Sequence, residues 1–129
     1  MSTDQQSRAG AVFDAASMTV ALQDGGAEVR SALAGDGTTL VYISVPKGFD
    51  FGPALAGLPH DMCCCEHWGV VTKGRMDIVT DGGAKLSIGA GEAFHLLPGH
   101  LPSFPEDCAF YEFTPRDEAD RLFAHLGIG

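Results

Sequence analysis

The feature that most restricts the fold of this chain is a series of short β-prone runs separated by turn residues. From residue 17 onward, runs rich in β-branched and aromatic residues alternate with glycine, proline and aspartate. In chain order these runs are MTVAL, AEVRSAL, TTLVYISV, HWGVVT, MDIVT, KLSI, EAFHLL and FYEFT. Several short strands with closely spaced turns predict an all-β sandwich or barrel. Residues 81–83, which read DGG, fit a hairpin turn between MDIVT and KLSI.

The C-terminal residues follow a helical pattern instead. In TPRDEADRLFAHLG, Thr114 can serve as N-cap, Pro115 suits the first helical position and Gly127 can end the helix. The predicted helix therefore spans residues 115–126. Its apolar residues share one face and are Ala119, Leu122, Phe123 and Leu126. We expect this stripe to pack on the outside of the β structure, and we interpret His125 as a surface residue because it lies off the stripe.

The length of 129 residues suits one domain with one hydrophobic core. Residues 1–16 are polar and rich in glycine and alanine, so we expect a loose arm there and a single domain over residues 17–129. With 45% apolar and 19% charged residues the chain is globular, and no stretch approaches the roughly 20 apolar residues of a membrane helix. The N-terminus lacks the basic start and apolar run of a signal peptide, which predicts a cytoplasmic location.

The charge pattern argues against some partners. The chain has 17 acidic and 8 basic residues, a formal net charge of -9, and its lysines and arginines are scattered singly. Surfaces that bind nucleic acid or anionic membranes need clustered basic side chains. We therefore expect neither as a partner.

Residues 60–69 read HDMCCCEHWG and concentrate the side chains that best bind metals. If this segment is extended, Cys63, Cys65 and His67 face one way, and Cys64 and Glu66 face the other. Thiolate and imidazole are the ligands that zinc prefers. On a straight strand, however, positions 63 and 67 would be about 13 Å apart, too far to share one ion. The segment must bend, or only two of the three residues bind the ion.

A fourth ligand must come from elsewhere in the chain. His100 is the first candidate because Pro98 and Gly99 make a tight bend that can aim its imidazole back into a barrel. His60, beside a proline, is the reserve candidate, and Cys108 could face either way. The predicted metal ligands are Cys63, Cys65, His67 and His100.

Two other interpretations of the cysteines remain open. A buried cysteine often serves as a small apolar residue, and Cys64 fits this role best. A nucleophilic or redox-sensing cysteine needs a lowered thiol pKa, whereas Asp61 and Glu66 would raise it, so this interpretation is the least favoured. For proton transfer we consider Glu66 and Glu112, with Glu66 better explained as a solvated surface residue.

The residues from Leu58 to Thr114 resemble a small cupin domain. The resemblance lies in the extended ligand segment, the glycine of VTKGRMDI, the hairpin, GEAFHLLPGH and the closing EFTP. When the first cupin motif is counted back from Gly74, His67 takes the place of its glutamate, and Cys63 and Asp61 take the places of its two histidines.

The second cupin motif is matched at Gly91 and Gly99, with Leu97 in place of its proline and Pro102 in place of its histidine. His100 lies two positions before that last place. The segments GLPHDMCCCEHWGVVTKGRMDI and GEAFHLLPGH resemble a subgroup of small bacterial cupins that carry C-x-C-x-HWG and PPGH. The resemblance implies that the four predicted ligands occupy the subgroup's repeated polar positions.

The resemblance implies a cupin-type double-stranded β-helix, or jelly-roll barrel, with a C-terminal α-helix. It also implies one divalent metal ion, zinc preferred over iron or nickel, a small-molecule ligand in the barrel and a homodimer. Four aromatic residues could line the barrel mouth, although we favour the interpretation that they fill the core: Trp68, Phe94, Tyr111 and Phe113. Two alternatives stay open, a non-enzymatic module that binds zinc or senses a ligand, and a metal-free barrel used in assembly.

Overall fold

The computed structural model describes residues 9–128, which form two antiparallel β-sheets and two α-helices. The strands of this range are β1 (Thr19–Asp24), β2 (Ala27–Leu33), β3 (Thr38–Val45), β4 (His67–Lys73), β5 (Arg75–Thr80), β6 (Lys85–Gly89), β7 (Ala93–Leu96), β8 (His100–Ser103) and β9 (Cys108–Pro115). The larger sheet has the order β1-β2-β3-β9-β4-β7, and the smaller one has the order β6-β5-β8. The helices are α1 (Gly52–Leu55) and α2 (Arg116–His125). The prediction of an all-β fold with a C-terminal helix is confirmed.

The core lies between the two sheets, and the alternation of side chains along each strand supplies it. On β9 the residues at 108, 110, 112 and 114 are buried, whereas Phe113 is exposed and Tyr111 half-buried. Phe110 meets Met76 and Ile78 of the smaller sheet in this core. Full burial of such a side chain stabilises the fold by about 1.5–3 kcal/mol. The same alternation puts Glu112 and Thr114 on the inner face.

The four aromatic residues considered for the barrel mouth, and favoured as core residues, divide between the core and the surface. Trp68 is 45% exposed and Phe113 43% exposed. They pair across β4 and β9 on the outer face, and Tyr111 shares that face with Tyr42 of β3. Phe94 packs against the core instead. The error came from assuming that large apolar side chains point inward, although folded proteins leave many of them on the surface.

Strand β8 was not among the predicted strands, because its sequence HLPS contains a proline. It is an edge strand of the smaller sheet, where Pro102 pairs with Ile78 of β5. An edge position tolerates a residue that has no backbone N–H to donate. The hairpin predicted at residues 81–83 joins β5 to β6, and Gly83 there has a φ of 84°.

The C-terminal helix differs from its prediction in start and direction. Helix α2 begins at Arg116 because strand β9 continues through Pro115, which is the N-cap, and the side chain of Thr114 turns inward. The apolar stripe of α2 does not pack on the outside of the sheets. It faces a partly open cavity between the two sheets, which all four residues line: Ala119, Leu122, Phe123 and Leu126.

The last residues of the predicted N-terminal arm contact the larger sheet. Residues Ala15–Ser17 form a 3-10 turn capped by the side chain of Asp14. The Ala15 N–H donates to the Tyr111 hydroxyl, and Arg30 donates to the Ala15 carbonyl oxygen. Residues 1–8 of the predicted arm lie outside the described residues. Among residues 9–128, neither helix has the length and apolar character needed to cross a membrane.

Candidate metal centre

Three of the predicted ligands meet at one buried point. The ligand atoms of Cys63, His67 and His100 all lie within 4.8 Å of one another. The Cys63 Sγ is 3.4 Å from the His67 Nε2, and the two imidazole rings have centroids 5.0 Å apart. The residues are 6%, 3% and 4% exposed, respectively. One thiol and two imidazoles this close together form a donor set that suits zinc.

The backbone brings these residues together by a short bridge. The Cys63 N–H donates to the His100 carbonyl oxygen at 2.9 Å, and the Gly99 N–H donates to the Cys63 carbonyl oxygen at 2.8 Å. Gly99 has a φ of 91°, which glycine adopts without strain. Regular strand structure begins only at His67, so residues 63–67 bend as the sequence required. The bend puts Cys63 and His67 next to each other.

Hydrogen bonds orient both imidazoles toward the cluster. The His67 Nδ1 lies 2.7 Å from the Thr114 hydroxyl oxygen, and the His100 Nδ1 donates to the Leu97 carbonyl oxygen at 2.8 Å. With its Nδ1 bonded in this way, each ring presents Nε2 as the free ligand atom. The donor set therefore fits a metal ion, and Thr114 is a site residue that the sequence analysis assigned only to the helix cap. The alternation of FYEFT was the signal that could have placed it inside.

The fourth predicted ligand, Cys65, is not part of this cluster. It is fully buried, and its sulfur lies 3.5 Å from the Glu118 carbonyl oxygen of α2. Cys64 is exposed on the opposite face, so its interpretation as a buried apolar residue was wrong. The reserve candidate, His60, has a side chain 68% exposed and lies near Asp81, away from the cluster. The structure thus brings together three of the four predicted ligands.

The electrostatics favour an ionised Cys63. A hydrogen bond from the Cys65 thiol lowers the pKa of Cys63 against the effect of burial, and hydrogen bonds with His100 and His67 lower it further. The same bond to Cys63, together with burial, raises the pKa of Cys65. For Cys63, the expectation that acidic neighbours would raise the thiol pKa was wrong. The Asp61 carboxylate accepts a hydrogen bond from the Gly57 N–H.

His67 and Glu112 form a buried pair behind the cluster. The His67 Nδ1 lies 3.5 Å from the Glu112 Oε2. Burial alone would lower the pKa of His67, but the charges of Glu112 and Cys63 outweigh it and raise this pKa to about 9. Burial raises the pKa of Glu112. Glu112, one of two residues considered for proton transfer, is therefore inside the site.

Glu66, the other residue considered for proton transfer, lies outside it. Its Oε2 is 2.6 Å from the His95 Nε2, on the outer face of the larger sheet. The His95 ring stacks on Trp68 with centroids 5.1 Å apart. The outward direction expected for Glu66 is confirmed.

A cavity of about 90 Å³ adjoins the three donors. Its walls come from the inner faces of both sheets and from the two helices, with Leu55 of α1 and Leu122 of α2 at the helical side. Glu112 and Thr114 also line it. The cluster therefore faces a mostly apolar space inside the protein.

Solved structures with this arrangement of sheets are available for comparison. KdgF from Halomonas sp. matches with a TM-score of 0.59 at 15% identity, over 86% of this chain and 99% of that chain. An RmlC-like cupin from Shewanella frigidimarina matches with a TM-score of 0.58 at 15% identity, over 80% and 87% of the two chains. The chain has a cupin fold. The polyketide cyclase RemF from Streptomyces resistomycificus shares this cupin fold with a TM-score of 0.56 at 18% identity, over 81% and 78% of the chains.

The cupin fold predicted from the sequence is thus confirmed. No protein-family model and no curated protein sequence matches the chain. The assignment to a cupin subgroup with C-x-C-x-HWG and PGH motifs stays a prediction.

The burial of the cysteines predicts how their thiols react. In the folded protein we expect only Cys64 to react rapidly with 5,5′-dithiobis(2-nitrobenzoate), a bulky thiol reagent, because the other three thiols are buried. Burial also raises the pKa of Cys108 to about 11, which keeps that thiol protonated. Absorbance of the released thiolate should report one fast thiol in the native protein and four after unfolding. The variant Cys64→Ser should lose the fast phase, and a second fast thiol in the native protein would contradict the buried positions.

Proposed function

We propose that this cupin holds one divalent metal ion, preferably zinc, on Cys63, His67 and His100, and that it binds or transforms a small molecule in the adjoining cavity. The observation that carries the proposal is the convergence of three buried donors within 4.8 Å at a cavity wall. Three protein ligands with one open position are the usual arrangement of catalytic zinc sites, whereas structural sites have four ligands. A thiolate in the set favours zinc over iron or nickel.

A bound zinc ion would act as a Lewis acid toward an oxygen of the small molecule or of water. The residues around it have separate roles in this proposal. Thr114 and the Leu97 carbonyl oxygen hold the two imidazoles in orientation. Glu112, buried beside His67, can hold a proton at the cavity wall. The burial of the three donors and the apolar walls limit their contact with water.

One observation favours a second candidate, a non-enzymatic zinc-binding or sensing module. The Cys65 thiol is near enough to Cys63 to lower its pKa, so a second sulfur lies near the three donors. If Cys65 also bound the ion, the site would be closed and would leave no position for a substrate. A homodimer and a cytoplasmic location stay predictions from the sequence.

Elemental analysis and cobalt substitution test the proposal. We expect one zinc ion per chain in the purified protein. The cobalt-substituted protein should show the charge-transfer absorption of one thiolate, and its visible spectrum should change when imidazole is added to the open position. A spectrum that indicates two thiolates and does not change on addition of imidazole would favour the sensing module. A protein that binds neither zinc nor cobalt would contradict both candidate functions.

A further inference from the structure

The cavity beside the three donors is apolar except in one place. Sixteen of its twenty-one lining residues are apolar, from Leu22 of β1 to Leu126 after α2. The five others are Cys63, His67, His100, Glu112 and Thr114. These five form one cluster, since both Glu112 and Thr114 contact His67. A molecule in the cavity would therefore meet polar atoms at one end and hydrocarbon elsewhere.

The polar end offers little to a negatively charged group. Among the described residues, no lysine or arginine lines the cavity. The Nδ1 atoms of His67 and His100 already bond to Thr114 and Leu97, so neither can donate to a ligand. Carboxylate and phosphate groups carry two or more oxygens that need such donors, and their burial without donors or a counter-charge is costly.

The acidic groups of the site also disfavour a negatively charged ligand. Cys63 and Glu112 are acidic groups on opposite sides of His67, with Glu112 3.5 Å from its ring. The proposed ion would offer a partner to a single oxygen. The second oxygen of a carboxylate would then lie against apolar walls or beside the carboxyl group of Glu112, whereas an uncharged oxygen needs no second partner.

The volume limits the size of the molecule. The cavity measures about 90 Å³. An apolar cavity of about 150 Å³ accommodates the six non-hydrogen atoms of benzene, so this one encloses about four. Because the cavity is partly open to the surface, a molecule of about five non-hydrogen atoms also fits. Each CH₂ group buried against such walls raises affinity about fourfold.

We propose that the cavity selects short, uncharged, mostly apolar molecules with one oxygen donor, such as small ketones, aldehydes or alcohols, and rejects carboxylates and phosphates of the same size. The anchoring of the oxygen rests on the proposed metal site. The preference for an uncharged molecule rests on the cavity walls and on the occupied donors.

A matched pair of probes tests the inference. 2-Butanone and propionate have equal numbers of non-hydrogen atoms and differ in charge. We expect zinc-loaded protein, titrated with each probe and followed by NMR chemical shifts, to bind 2-butanone at least about tenfold more tightly, with affinity in the millimolar range. Equal or tighter binding of propionate, or no saturable binding of 2-butanone, would overturn the inference.

Variants and metal analysis complete the test. Ala119→Leu, which fills the cavity, should weaken 2-butanone binding, and Ala93→Leu at an exposed position of β7 should not. Zinc content is measured in the same samples. If zinc is absent and 2-butanone still binds in preference to propionate, the metal proposal fails and the ligand class stands. If zinc is present and propionate binds better, the metal proposal stands and the proposed ligand class fails.

Discussion

Replacing Cys63 with serine should reduce bound zinc from about one ion per chain to less than about a tenth, because a neutral hydroxyl replaces the thiolate of a three-ligand site. Cys63 is the sole sulfur among the three clustered donors. Its neighbours His67 and His100 keep their Nδ1 hydrogen bonds without it, so the fold should survive the change. Metal content after dialysis against a weak chelator measures the effect, and circular dichroism checks the fold.

The two adjacent cysteines provide matched controls for this experiment. Cys64→Ser changes an exposed side chain one residue away and should leave the zinc content unchanged. Cys65→Ser separates the two site descriptions. The three-ligand site keeps its zinc, whereas the four-ligand site predicted from the sequence loses it. Zinc retained at full stoichiometry by Cys63→Ser would falsify the proposed centre.

Replacing Gly74 with alanine should destabilise the protein by about 3 kcal/mol or more, which lowers the melting temperature by roughly 10 °C. Gly74 connects β4 to β5 with a φ of 73°, a conformation that costs an alanine about 1 kcal/mol. In addition, a Cβ there would clash with the backbone carbonyl of Asp107. Backbone atoms cannot move aside as a flexible side chain can, so the clash adds to the conformational cost.

Gly83→Ala is the control that separates these two costs. Gly83 has a similar φ of 84°, but a Cβ there would meet no atom within 4 Å. We expect it to lose only about 1 kcal/mol. Equal melting temperatures for the two variants would show that the clash at Gly74 is relieved without cost.

Much of the fold was predictable because it depends on local patterns. The period-2 runs and the turn at residues 81–83 indicated the strands, and the change of period near Thr114 indicated the helix. The direction of the helix was not predictable, since an apolar stripe indicates that a face is buried and does not say against which surface. Strand β8 was missed because Pro102 is compatible with a strand only at a sheet edge, and edges are set by tertiary structure.

The candidate site was predictable to a similar degree. The alternation of side chains along a strand put Cys63 and His67 on one face. Because these positions are too far apart on a straight strand to share one ion, a bend was one of two predicted solutions, and the structure contains it. The same alternation put Cys65 on that face. It cannot distinguish a side chain that reaches the cluster from one that bonds to the Glu118 carbonyl oxygen, as Cys65 does. The role of Thr114 as a partner of His67 depends on the pairing of β4 with β9, which no local pattern encodes.

The inward stripe of α2 has a consequence for how this protein could diversify. The three donors come from the segment before β4, from β4 and from β8, while four of the twenty-one residues that line the cavity come from α2 and the residue after it. Exchanging the terminal helix would therefore reshape the chamber without altering the strands that carry the chemistry. Substitutions in the final dozen residues could therefore change which ligand the protein binds while leaving the three donors in place.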